Sequence, residues 1–410
     1  MRPAVLITLG RLPKALELAR ALRGAGCDVI VAEPYGLHLS KPSRAVARSY
    51  KTPAPNQDLD GYLDALMKVV EAHAVERIVP VSEEALHVAK LRDRLPPDVT
   101  LYSPSATVLA ELHDKARFVE TAAGYGLAVP ETFASDTPEA AAFAATTDYI
   151  VKPTHGCSGG GLQLRRAGDP LTADDRRPGR IVQRRIYGRH VSSLTVAEIG
   201  REVGTVLYEG TVLSGTVATC FRRIEDAPSV GPWISRFVEG SGYTGFLAFD
   251  FIVDAGGLPW ALECNPRLTS GAHFIHPDDL AASVLGRPPE TLRFKSETRM
   301  QEGHTTLTEA YAAIGRPLEM LRRFGELVRA RDVLFDWKDP LPFFLMTPMS
   351  WPILKRVMFS GMSFGEAATH DIAISGPAAR STGAVEAMVR QAASIPSDPA
   401  PSARVLEHGR

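Results

Sequence analysis

Residues 245–267 read GFLAFDFIVDAGGLPWALECNPR, and the reading of the chain turns on them. Two β-like runs, 246–253 and 258–264, flank a turn at Asp254, Ala255, Gly256 and Gly257. This predicts a hairpin in which glycine supplies a positive φ. Because side chains alternate along a strand, Asp250 lies on the face opposite Phe249 and Phe251, while Glu263 and Asn265 share a face that excludes Cys264. Paired in register, the hairpin brings two carboxylates and an amide together, with Arg267 just beyond. Such oxygen donors suit a hard cation that also holds a polyphosphate, which predicts Mg²⁺ chemistry. A solvated hairpin with an acidic outer face is the alternative, and the spacing D-x(12)-E-x-N alone does not separate the two.

A second stretch favours the metal reading. Residues 149–161, YIVKPTHGCSGGG, predict a short apolar strand ending at Lys152 and Pro153, then a loop with Gly156, Gly159, Gly160 and Gly161. Such a loop brings backbone N–H groups to phosphate oxygens while the lysine adds a point charge. The lysine precedes the glycines, so this is not a P-loop. A strand at 162–165 follows where a dinucleotide fingerprint would open a helix.

In their order along the chain, these motifs resemble the ATP-grasp superfamily, in particular its carboxylate-amine or carboxylate-thiol ligases, over roughly residues 1–285. The resemblance implies an ATP-grasp fold of α/β and α+β parts, with a doubly wound parallel sheet in front and an extension behind. His113, Asp114 and Lys115 look like the entry to the small nucleotide subdomain. On that likeness Lys115 and Lys152 contact the phosphates, and the loop with Gly156, Ser158, Gly159 and Gly160 covers them. Residues 181–192, IVQRRIYGRHVS, look like the strand and linker around the adenine: Gln183 meets the amino group and the backbone of Ile186 reads the base edge. The resemblance further implies that Asp250, Glu263 and Asn265 hold two Mg²⁺ ions, Mn²⁺ being an alternative, with Arg267 near the transferred phosphoryl group. His190 departs from the pattern, because the family usually has a glutamate there to grip the ribose. An imidazole makes one such bond.

The chain has 410 residues, 45% of them hydrophobic, enough for two or three soluble domains. The expected division is a Rossmann-like domain at 1–104, a small ATP-grasp subdomain with the glycine loop at 105–182, and a larger subdomain with the metal site at 183–286. A mostly helical extension at 287–391 and a disordered tail at 392–410 complete it. Lys and Arg number 46 against 47 Asp and Glu, so no basic field attracts nucleic acid. The four cysteines contain no C-x-x-C pair, which argues against a zinc site or a disulfide framework. The apolar run before Gly10 is too short for a signal peptide, and prolines at 340, 342, 348 and 352 interrupt the residues that follow 334, so no membrane helix is expected. The expected location is cytoplasmic and the expected partners are small-molecule carboxylate and amine or thiol substrates, with a homodimer possible in principle.

Residues 1–104 alternate strand and helix patterns: strands at 4–9, 28–32 and 77–81, helices at 13–23, 59–72 and 83–94. This predicts a parallel sheet. No G-x-G-x-x-G follows the first strand, which argues against NAD or FAD with Glu33 as ribose acceptor. Ser82, Glu83 and Glu84 have two readings, a helix cap with first-turn acids or an anchor for substrate. One helical pattern covers 105–127, placing Asp114 and Lys115 near a helix start. β-Segments at 191–217 are expected to break at Gly200 and Gly210. Arg222 and Arg223 are candidates for a substrate carboxylate or the γ-phosphate, with Arg222 taken as catalytic beside Arg267 and Lys152. Cys157 reads as a small filler, and His370 and Asp371 as a polar pair returning towards a site.

The expected function is ATP-dependent, ADP-forming ligation of a carboxylate, activated as an acyl phosphate, to an amine or thiol. Two rivals share the ATP contacts: a nucleotide-binding regulatory protein on a decayed fold, and a phosphotransferase.

Overall fold

The computed structural model describes residues 2–156, 161–215 and 217–373. The first sheet is parallel, with strands β1 (Ala4–Ile7), β2 (Asp28–Glu33), β3 (Val46–Lys51), β4 (Val75–Val79) and β5 (Thr100–Leu101) in the order β3-β2-β1-β4-β5. The helix Pro13–Gly24 packs Ala15, Leu16, Ala19 and Leu22 inward from a proline start, the stripe its period predicts. β3 was not anticipated: its residues are half-buried or exposed, as an edge strand allows.

The pattern at 105–127 is two helices, Ala106–His113 and Lys115–Gly124. Asp114 separates them with an extended backbone, and its carboxylate accepts from the N–H groups of Ala116 and Arg117, capping the second helix. A four-stranded sheet follows: β6 (Thr132–Ala134), β7 (Tyr149–Pro153), β8 (Gln163–Arg165) and β9 (Arg180–Arg184), ordered β6-β9-β7-β8. Cys157, Ser158, Gly159 and Gly160 lie outside the described residues.

The third sheet has seven strands in the order β14-β13-β10-β11-β12-β15-β16. These are β10 (Arg189–Glu198), β11 (Arg201–Ser214), β12 (Val217–Ile224), β13 (Gly245–Val253), β14 (Pro259–Asn265), β15 (Arg299–Gln301) and β16 (Arg331–Asp332). Gly210 does not break its strand as expected. β11 runs through it with a register shift, and a Cβ there would stand 2.8 Å from that of Ala218, so glycine serves close strand approach. One face of the sheet packs Phe249 and Phe251 with Trp233, Phe237 and Phe118. The other carries Leu194, Val206, Tyr208 and Phe221 into the core shared with the first sheet.

The residues after 286 are mostly helical, yet they also supply β15 and β16. Their last described stretch reaches back to the first sheet. Arg11 donates to Glu33 (2.8 Å) and to Asp371 (2.6 Å), all three fully buried, and His87 Nε2 lies 3.0 Å from the Ile372 carbonyl. Asp371 thus closes the crevice at the carboxyl end of β1 and β2. Residues 374–410, with the tail anticipated at 392–410, lie outside the described residues. Among the described residues no helix is long and apolar enough to cross a membrane.

Candidate active site

The hairpin forms as its alternation requires. At the turn, Asp254 Oδ1 accepts from the N–H groups of Gly256 and Leu258, each at 2.9 Å, and Gly257 has φ +81°. Asp250 stands directly across from Glu263, and Ala248 across from Asn265. Burial of Phe249 and Phe251 fixes this arrangement, since a slip of one residue would carry Asp250 into the aromatic core. Leu262 is the extra residue of a bulge between these pairs. Its carbonyl accepts from Lys152 Nζ at 3.1 Å, so the group freed from the ladder is satisfied by the lysine.

The pairing continues across the sheet. Glu263, Asp250, Ser192, Tyr208 and Arg223 are successive partners on β14, β13, β10, β11 and β12, and directly opposed residues share a face. Ser192 Oγ donates to Asp250 Oδ1 (2.6 Å), and Asn265 Nδ2 to Asp250 Oδ2 (3.2 Å). Burial, and then the charge of Glu263, push the Asp250 carboxyl up to about 7. Burial opposes ionisation of Glu263 too, but Lys115 and then Lys152 outweigh it and lower its carboxyl. Lys115 Nζ lies 3.5 Å from Glu263 Oε2 and donates to the Gly156 carbonyl at 2.7 Å. Burial brings Lys152 down to about 8.

Arg267 Nη2 donates to Asn265 Oδ1 (2.9 Å) and reaches Glu83 Oε1 (2.7 Å). Glu83 is therefore neither a helix-dipole acid nor a free anchor. Burial opposes its charge, yet Arg267, followed by His113 and Lys14, hold it at about 2. The cap reading of Ser82 fails as well, because the short helix Ala85–Val88 has Glu84 at its N-cap position. Glu84 instead accepts from the N–H groups of Val81 and Ser82.

Two further expected residues meet different outcomes. Arg222 is not brought to the row of Asp250 and Glu263: it is the partner of Glu209, one position off, and its guanidinium pairs with that carboxylate. Arg223 occupies the row instead, its guanidinium 5.5 Å from the Phe294 ring centre and bonded to the Lys295 carbonyl at 2.9 Å. His190 stands two residues before Ser192, on the same face, and is exposed. Gln183 is fully buried on β9; its Nε2 donates to Thr132 Oγ1 at 2.9 Å, and its Oε1 has no partner among the described residues. Ile186 lies in the link between β9 and β10, half-buried.

Two carboxylates and an amide on one face of the hairpin thus meet two lysines, one from the four-stranded sheet and one from a helix start, and the second of these bonds to the Gly156 carbonyl. A family model described as the ATP-grasp domain matches residues 112–271. The chain carries an ATP-grasp domain. Solved structures share the fold at low identity. The biotin carboxylase domain dimer of Hydrogenobacter thermophilus 2-oxoglutarate carboxylase, crystallised with MgADP, ADP and bicarbonate, is 17% identical, with TM-score 0.57 over 72% of this chain and 73% of that one. N5-carboxyaminoimidazole synthetase from Staphylococcus aureus is 14% identical, with TM-score 0.57 over 72% and 80%. L-amino acid ligase from Bacillus licheniformis is 14% identical, with TM-score 0.56 over 72% and 78%. No curated protein sequence matches the chain.

The ATP-grasp arrangement also holds residues that the motifs do not announce: Ser192 on Asp250, Glu83 on Arg267, and the Leu262 carbonyl on Lys152. Only Glu83 left a trace in the sequence, as an acid at a strand's carboxyl end. Two cavities, about 540 and 490 Å³, lie elsewhere, and neither is lined by Asp250, Glu263 or Lys152.

Proposed function

We propose that this chain is an ADP-forming ligase that activates a carboxylate as an acyl phosphate and joins it to an amine or thiol, acting on small molecules in the cytoplasm. The observation that supports it most is the opposed pair Asp250 and Glu263, backed by Asn265 and faced by Lys115 and Lys152. Two adjacent half-buried carboxylates repel one another, and all-oxygen donors fit a hard divalent cation. Asp250, Glu263 and Asn265 would hold Mg²⁺, as two ions, with Mn²⁺ as a substitute. When bound, the metal neutralises charge on the phosphates. Lys115 and Lys152 bind phosphate oxygens, together with the loop of Gly156, Ser158, Gly159 and Gly160. The orphaned Gln183 Oε1 accepts from the adenine amino group, the Ile186 backbone reads the base edge, and His190 bonds the ribose. Arg267 faces the transferring phosphoryl group. Arg223, on the metal row, takes the place of Arg222 as the candidate for the substrate carboxylate.

In this reading residues 105–182 and 183–286 are the two ATP-grasp halves, 1–104 helps to bind the acyl substrate, and 287–391 is an accessory extension. A carboxylate oxygen of the substrate attacks the γ-phosphorus, the bond to the bridging oxygen breaks and ADP leaves. The amine or thiol then attacks the acyl carbon and loses its proton, and phosphate departs with the substrate's oxygen. The test is a screen of carboxylates for ADP release, followed by ¹⁸O labelling of the active one. Labelled phosphate formed in step with ADP and product is expected. Phosphate retained on the acceptor would indicate a phosphotransferase, and ¹⁸O-labelled AMP with unlabelled pyrophosphate would indicate adenylation.

A further inference from the structure

Glu83 belongs to the loop after β4, outside residues 112–271, and is 2% exposed. Its Oε1 accepts from Arg267 Nε at 3.0 Å and Nη2 at 2.7 Å. Its Oε2 lies 3.5 Å from His113 Nε2, and the next residue, Asp114, caps the helix that begins at Lys115. Beside it, Lys14 Nζ donates to the carbonyl of Leu268, the residue after Arg267, at 2.7 Å. Residues of the first domain therefore grip the end of the metal hairpin twice, and one of those grips also touches His113, the last residue of the helix before the one that begins at Lys115.

We propose that Glu83 is a positioning residue that holds the Arg267 guanidinium away from Asp250 and Glu263, so that those carboxylates stay open to a cation. The inference rests on the reading of Asp250, Glu263 and Asn265 as the metal site. A guanidinium seeks carboxylates and binds them bidentately. Arg267 already touches Asn265, and Asn265 touches Asp250, so the metal row is the nearest alternative set of acceptors on its own hairpin. With its charge engaged by Glu83, Arg267 stays at the rim of the row, available to a phosphoryl oxygen. Without Glu83 it folds onto the carboxylates and competes with the metal.

The test compares wild type with Glu83→Gln, Glu83→Asp, Arg267→Met and the Glu83→Gln/Arg267→Met double variant. Two quantities are read: the Mg²⁺ concentration for half-maximal ADP formation, and the ¹⁵N-edited signal of the Arg267 Nε–H. Glu83→Gln is expected to lower kcat about 10- to 100-fold, the usual effect of removing a partner of a metal-site group, and to raise the Mg²⁺ requirement. Glu83→Asp restores part of both. The double variant needs no more Mg²⁺ than Arg267→Met, because the competing guanidinium is gone. An unchanged Mg²⁺ requirement in Glu83→Gln, or a further rise in the double variant, overturns the proposal. If wild type forms no ADP, the ligase reading falls and the Nε–H signal decides positioning alone: it should shift in Glu83→Gln, and an unmoved signal overturns the proposal. If Glu83→Gln does not fold, the same signal and the Mg²⁺ requirement are read in Glu83→Asp, where both must move.

Discussion

Two acidic clusters, one fully buried on the first sheet and one half-buried on the seven-stranded sheet, resolve the same problem in opposite ways. At the end of β1 and β2, Glu33 and Asp371 share Arg11. Glu33 also accepts from the N–H groups of Gly10 and Tyr35, and both Asp371 oxygens meet the guanidinium. On the seven-stranded sheet, Asp250 and Glu263 face each other, and Asp250 accepts from the Ser192 hydroxyl and the Asn265 amide. The first cluster is a closed lock that ties the last described stretch to the first sheet. In the second, burial and mutual repulsion lift the Asp250 carboxyl to about 7. In the proposed function these are the carboxylates that take a cation. The crevice that usually binds ligand in a doubly wound sheet is here filled by the protein's own Asp371, and the open chemistry has moved to the hairpin.

If that contrast is sound, damage to the two clusters should separate activity from stability. The largest effect is expected from Glu263→Gln and Asn265→Ala, each reducing ADP formation to background while circular dichroism stays that of wild type. Next comes Arg11→Ala, which leaves two buried carboxylates unpaired and should cost about 3–5 kcal/mol of unfolding free energy. Urea titration measures it, and a change below 1 kcal/mol would mean that the lock is decorative.

A third expectation concerns pH. Because the folded-state carboxyl of Asp250 is raised from 3.8 to about 7, the metal-free folded state holds a proton that the unfolded chain has released. This group's contribution to stability therefore falls as pH rises through that window. A cation takes the proton's place, so the Mg²⁺-induced rise in Tm should be small near pH 5.5 and larger near pH 8. An increment independent of pH, or largest in acid, would contradict the assignment. The smallest effect is at His190: His190→Ala should weaken nucleotide binding by about 0.5–1.5 kcal/mol, one ordinary hydrogen bond, and His190→Glu should match or exceed wild type by calorimetry. No change in either would remove His190 from the ribose.

What was legible in the sequence follows from period and local motif. Phe249, Asp250 and Phe251 alternate so strictly that the polar face of the hairpin could be assigned without coordinates, and Lys115 and Lys152 stand out through the motifs around them. The choice between Arg222 and Arg223 was not legible. Their parity relative to Asp250 depends on register carried across β13, β10, β11 and β12, and on shifts beside Gly210. The Leu262 bulge leaves no composition signal, and Glu83 and Asp371 find their partners 184 and 360 residues away. β3 escaped notice because an edge strand lacks the continuous apolar run of its neighbours.

The most direct measurement of the central claim is a calorimetric titration of a non-hydrolysable ATP analogue with Mg²⁺ into wild type, Arg11→Met and an Asp250→Asn/Glu263→Gln variant. The account predicts Mg²⁺-dependent binding to wild type and to folded Arg11→Met alike, and loss of the Mg²⁺ dependence when the hairpin carboxylates are neutralised. Unaltered Mg²⁺-dependent binding in the hairpin variant would contradict it.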